Sequence, residues 1–178
     1  QMTSSILGYN NNLNFEGRVH ALETLADGSI LAGGQFINFN GQFCNGLAFY
    51  DGNAWQTLPS IQGNGSTPGD VEAILPGTGP EFFIGGSFVS AGGTSAGNIA
   101  RGVLGGGFTP LGSGVNDYVF SIKRLPNGDL VAGGSFTTAG GVNASRVARW
   151  NGTAWSAFGA GLNGTVFDSS IARGQPAD

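Results

Sequence analysis

The chain has one cysteine, one histidine and one lysine among 178 residues, and each scarcity removes a class of chemistry. The lone cysteine, Cys44, cannot form an internal disulfide or a cysteine-built metal centre, and reads as a small buried apolar side chain. The lone histidine, His20, rules out a two-histidine metal site within one chain, and reads as a structural or solvated residue. No calcium loop of the D-x-[DN]-x-[DN]-G type occurs. Nucleophilic triads need a positioned base, and His20 has no supporting group beside it in sequence, so no catalytic residue, metal or cofactor is expected. Charged residues are 10% of the chain, the net charge is −4 and no basic cluster exists, which argues against binding nucleic acid. No run approaches the roughly 20 apolar residues of a membrane helix, so no membrane insertion is expected. Helical periodicity is missing too, because glycine, at about 1 kcal/mol per helical site, interrupts every candidate.

What the chain does contain is glycine and phenylalanine. It has 34 glycines, 13 phenylalanines and 40% hydrophobic residues. Disordered glycine-rich linkers lack such an apolar complement, so the glycines punctuate a folded protein. They also recur in register. Aligned on the second glycine of "LAGGQF", "FIGGSF" and "LVAGGSF", the pairs end at Gly34, Gly86 and Gly134, spaced by 52 and 48 residues. Phe36, Phe88 and Phe136 follow, then Gly41, Gly93 and Gly141, then Ala48, Ala100 and Ala148. Val19, Val71 and Val119 precede, and Trp55, Phe108 and Trp155 close each unit. Such register marks an internal repeat.

Each unit reads as four short strands. In the third, "YVFSIKRL" alternates with one irregular step, "PNGD" turns the chain, "LVAGGSF" is the second strand, and "RVARW" and "AWSAFG" flank the turn "NGT". A four-stranded antiparallel sheet with two apolar faces must be covered twice, and stacking sheets radially does this. The expected fold is therefore all-β, with four-stranded antiparallel blades of a β-propeller; a β-solenoid is the rival. The expected organisation is a terminal fourth strand and link over 1–18, repeats over 19–70, 71–118 and 119–165, and the start of a fourth repeat over 166–178. Three units fall short of the four to eight blades of a closed ring. The expectation is a partial arc completed by more of a longer chain or by self-association.

Gly33-Gly34, Tyr50 and Trp55, with Gly133-Gly134, Trp150 and Trp155, give the chain a resemblance to the kelch repeat. "LPNGDLVAGGSFTTAGG" and "RVARWNGTAWSAFG" also resemble the glycine-rich delta-60-type propeller repeats of large bacterial secreted proteins, and those of fungal cortical-marker proteins. The middle unit departs from the pattern, with Gly102 in place of the aromatic residue and Phe108 in place of tryptophan. The resemblance implies a fold and not an activity.

Candidate functional residues are few. Asn64, Asn143, Asn151 and Asn163 head Asn-x-Ser/Thr sequons and are candidate glycan acceptors, although three are Asn-Gly steps that turns demand anyway. Phe39 and Phe43 break a small-residue loop, and Arg101 and Arg149 match between units. All four are candidates for a ligand or partner surface; packing against a neighbouring blade is the favoured account of Phe39 and Phe43, and an arginine over aromatic rings between blades explains Arg101 and Arg149 as well as a ligand does. Asp27, Asp51 and Asp129 belong to turns, and no acidic pair is singled out as a glycosidase acid and base. The glycine pairs precede strands rather than helices, which excludes a phosphate loop. The functional expectation is a non-catalytic extracellular or cell-envelope propeller acting as a structural or adhesive interaction module. A protein or glycan partner is open, a carbohydrate-binding propeller is the alternative, and a kelch-type enzyme comes third.

Overall fold

A computed structural model of the chain describes residues 17–39, 42–65 and 67–167. The first unit contains β1 (Arg18–Thr24), β2 (Ile30–Gln35), a small hairpin of β3 (Asn38–Phe39) and β4 (Gln42–Phe43), then β5 (Leu47–Tyr50) and β6 (Trp55–Thr57). A link strand, β7 (Ile61–Gln62), leads to the second unit. That unit has β8 (Asp70–Pro76), β9 (Glu81–Ser87), β10 (Ser90–Ala91), β11 (Thr94–Ser95), β12 (Ile99–Val103) and β13 (Phe108–Pro110). The third has β14 (Val119–Arg124), β15 (Leu130–Gly134), β16 (Thr138–Ala139), β17 (Val142–Asn143), β18 (Val147–Trp150) and β19 (Trp155–Ala157). Each unit forms a four-stranded antiparallel sheet, β1-β2-β5-β6, β8-β9-β12-β13 and β14-β15-β18-β19. The first strands β1 and β14 both pack against β8, so the sheets fan outward from a shared inner edge as propeller blades do.

The irregular step in each first strand is a β-bulge. Register shifts between Val19 and Ala21, Val71 and Ala73, and Val119 and Ser121. A bulge brings its own strand's backbone close to the partner strand, and the second glycine of each pair stands there. A Cβ at Gly34, Gly86 or Gly134 would run into the backbone carbonyl of Arg18, Asp70 or Tyr118. The first glycine has a different task. At Gly33 a Cβ would lie 2.6 Å from Val71 Cγ1, at Gly85 2.5 Å from Val119 Cγ1, and at Gly133 2.6 Å from Val166 Cγ1. The repeated valine of one blade thus fills the space left by the glycine of the blade before it. The first glycine and the valine recur together because they are the two halves of one inter-blade joint.

The core lies between blades. Phe36, Phe88 and Phe136 are buried, as are Ala48, Ala100 and Ala148. Cys44 occupies the place of Ala96 and Ala144, also buried, which makes it the small apolar side chain expected of it. Links stitch the blades at one end. β7 joins the β10–β11 hairpin, and Val115 bridges to Ala139 in the same way one blade later.

The middle blade survives its missing aromatic by moving it across a strand. Tyr50 and Trp55 pack at 5.3 Å between ring centroids, and Trp150 and Trp155 at 5.4 Å. In blade two the cross-strand partner of Gly102 is Phe82, whose ring occupies the space a side chain at position 102 would need. Phe82 then meets Phe108 edge-on at 5.9 Å. The aromatic pair is kept while the strand that supplies half of it changes. The fourth strand expected in residues 1–18 falls largely outside the described residues; at the other end, Val166 sits in the seat of a repeat valine.

Candidate functional site

The bulged first strands turn equivalent residues of successive blades toward the same inner edge. Position 20 in blade one is His20, position 72 in blade two is Glu72 and position 120 in blade three is Phe120. Two residues earlier stand Arg18, Asp70 and Tyr118. Adjacent blades therefore place unlike residues in contact at like positions, since bulges re-aim side chains out of the regular ladder.

At the junction of blades one and two, His20 Nδ1 lies 3.0 Å from an Asp70 oxygen and 3.3 Å from a Glu72 oxygen. The donor atoms of the three residues all lie within 4.8 Å of one another. Their side chains are 23%, 15% and 23% exposed, enough for an ion to enter and little enough to limit water. Asp70 Oδ1 is itself buried and receives no hydrogen bond of acceptable geometry, despite the nearness of the imidazole. Burial raises the Asp70 carboxyl above its ordinary value, opposed by the nearness of His20 and by the charge of Arg18. Burial likewise raises Glu72, reinforced by the Asp70 charge and opposed by His20.

Between blade three and the start of the next unit the same positions are aromatic. Tyr118 stacks on Phe120 at 5.5 Å, and Phe120 meets Phe167 at 5.0 Å. The inner edge is thus ionisable on one side and aromatic on the other.

The residues singled out from sequence do not gather here. Arg101 pairs with Glu81 at 2.7 Å, and Arg149 pairs with Asp129. Glu81 and Asp129 occupy equivalent positions, so this is one repeated ion pair between second and third strands. Among the described residues it is Arg124 that lies over an aromatic ring, 5.2 Å above Phe83. Phe39 and Phe43 fall on the paired strands β3 and β4, and Phe39 takes the position of Ala91 and Ala139. The surface expected of them turns on side chains outside the described residues. Asn64, Asn143, Asn151 and Asn163 are all exposed. Asn151 Oδ1 accepts from the Thr153 and Ala154 amides, and Asp51 Oδ1 accepts from Asn53 and Ala54 in the same turn of blade one. Asp27 accepts from Ser29 in its own turn, whereas Asp129 is drawn to Arg149.

Sequence reasoning missed the cluster of His20, Asp70 and Glu72 because 50 or more residues separate its halves. A signal was nevertheless available. The repeat alignment puts His20 and Glu72 at one blade position, and neighbouring blades bring equivalent positions together.

A family model described as a domain of unknown function (DUF5122) β-propeller matches residues 25–48 and 125–152. Those segments start at the first turn of blades one and three and reach into the third strand of blade one and just past the third strand of blade three. No curated protein and no solved structure matches the chain. Sheet topology and the matched segments agree, and the chain is an all-β protein built of β-propeller blades.

Proposed function

We propose that this propeller is a non-catalytic interaction module, structural or adhesive, of the kelch-like and delta-60-type kind, working outside the cell or in the cell envelope. The observation that supports it is the row of small hairpins between second and third strands. Beneath them the repeat is constant, with Gly33/Gly85/Gly133 and Phe36/Phe88/Phe136 committed to packing. At the hairpins the glycines Gly41, Gly93 and Gly141 recur while other residues change from blade to blade, and Val89, just before β10, and Val142, on β17, are 49% and 42% exposed. A varied rim on a rigid scaffold is the usual distribution of labour in binding proteins. Exposed sequons at Asn143 and elsewhere fit a secreted setting.

The test is adhesion of cells or matrix protein to the immobilised chain. Combining Val89→Ser with Val142→Ser should reduce adhesion several-fold at unchanged melting temperature. Equal adhesion by the double variant would sink the proposal. Immunodetection after cell fractionation tests the location.

A carbohydrate-binding reading is favoured by one observation, the run of Tyr118, Phe120 and Phe167, of which Tyr118 is 40% and Phe167 66% exposed. Aromatic faces of this kind can carry the apolar side of a sugar ring. A glycan array distinguishes the two readings: signal abolished by Tyr118→Ala selects this one.

A further inference from the structure

We propose that His20, Asp70 and Glu72 bind one divalent transition-metal ion of the zinc type at the inner junction of blades one and two. The donor spacing carries the proposal. A metal held at ~2.0–2.2 Å by nitrogen and carboxylate oxygen sets neighbouring donors about 3–3.5 Å apart. The two distances from His20 Nδ1, 3.0 and 3.3 Å, already match it.

The donor set selects the class of ion. One imidazole and two carboxylates suit zinc and its first-row neighbours, whereas calcium asks for six to eight oxygens at longer distance. Two carboxylates balance the charge of a divalent ion. Asp70 Oδ1, buried and without a well-formed hydrogen bond, is an acceptor that a cation would satisfy. Three protein ligands leave a fourth position for water or for a donor from a partner.

The three ligands come from two blades, β1 supplying His20 and β8 supplying Asp70 and Glu72. The ion would therefore clip one blade to the next where only side chains meet. Binding to the folded state alone raises stability with metal concentration. The same residues could instead form a metal-free ion pair between imidazolium and carboxylates, and that reading predicts no response to metal.

The experiment uses the whole chain, stripped with chelator and titrated with Zn²⁺ by calorimetry and with Co²⁺ by visible absorption. One ion per chain, a rise in melting temperature and a cobalt ligand-field band are expected. His20→Ala and Glu72→Gln should each weaken binding tenfold or more. Asp70→Asn separates binding from folding: its metal-free melting temperature should equal or exceed that of the parent, since a buried charge is removed, while its zinc response is lost. Glu81→Gln, on the outer part of the blade, should bind zinc as the parent does. No heat, band or thermal shift with either metal overturns the proposal, and so does undiminished binding by His20→Ala.

Discussion

Val119 of the third blade fills the space above Gly85 of the second, its Cγ1 2.5 Å from where a Cβ on residue 85 would stand. The joint recurs between Gly33 and Val71 and between Gly133 and Val166. Gly85→Ala should therefore destabilise the chain by about 1–3 kcal/mol through overpacking. Adding Val119→Ala should recover part of that loss, so the two changes couple. Denaturant unfolding of both single variants and the double variant measures this. Strict additivity would show that the two residues do not share one space.

Trp155 is joined to the preceding blade through its indole N–H, which donates to the Leu111 carbonyl at 2.7 Å in a buried setting. Trp155→Phe keeps much of the ring and removes the donor. Loss of about 1 kcal/mol is expected from the missing bond, because the Leu111 oxygen keeps only the Gly114 amide as a donor, at 3.1 Å. Phe108, which fills this place in blade two, already lacks such a donor, so Phe108→Leu should show no hydrogen-bond component. A cycle comparing the two sites by thermal denaturation reads the difference.

Asn98 has φ of 63°, in the left-handed region, and its side chain ties two backbone groups together. Its Oδ1 accepts from the Phe88 amide and its Nδ2 donates to the Val115 carbonyl. Blade one has Gly46 at this position, with φ of 74°. Asn98→Ala loses both bonds and strains the backbone, for about 2–4 kcal/mol. Asn98→Gly loses the bonds alone and should be milder by about 1 kcal/mol. Equal costs by chemical denaturation would mean that backbone strain plays no part.

Burial pushes the Cys44 thiol up from 9.0 to about 11. A raised folded value means that the folded chain holds this proton more tightly than the unfolded chain. The corresponding stability is present below the unfolded value near 9 and is lost as pH rises through about 11. Folded protein at pH 8 should resist thiol reagents, and denatured protein should react at once. Cys44→Ala should cost about 1 kcal/mol or less, since Ala96 and Ala144 fill the equivalent seats. It should also flatten the alkaline limb of the stability curve. Rapid labelling of folded protein at pH 8 contradicts the burial argument.

Val19 and Leu22 are 36% and 47% exposed, while their counterparts Val71 and Ile74 are 0% and 7% exposed beneath the neighbouring blade. Among the described residues nothing covers this face of blade one. The chain should therefore associate with a second copy in solution, seen by light scattering as a mass above 18.0 kDa, with Leu22→Asp lowering it. A monomer that binds no hydrophobic dye would sink that expectation.

The repeat was legible because packing leaves marks on local sequence. Gly85 and Gly86, Phe88, Ala100 and Val119 recur since each occupies a seat of fixed volume that every blade must rebuild. Turns were legible for a similar reason: Asp27, Asp51 and Asn151 act on amides two or three residues away. Departures from the pattern were harder to read. Phe82 replaces the aromatic missing at Gly102, but only cross-strand pairing shows that it stands opposite.

The sequence by itself determined the blades, their turns and the recurring glycine and valine positions, because those depend on residues a strand or a repeat apart; which valine fills which glycine's space was decided by the packing of the blades. Tertiary structure alone decided the cluster of His20, Asp70 and Glu72. Its geometry depends on how two bulged strands from different blades are set side by side. Position in the repeat names the partners, and only the packing of the blades brings their atoms to 3.0 and 3.3 Å.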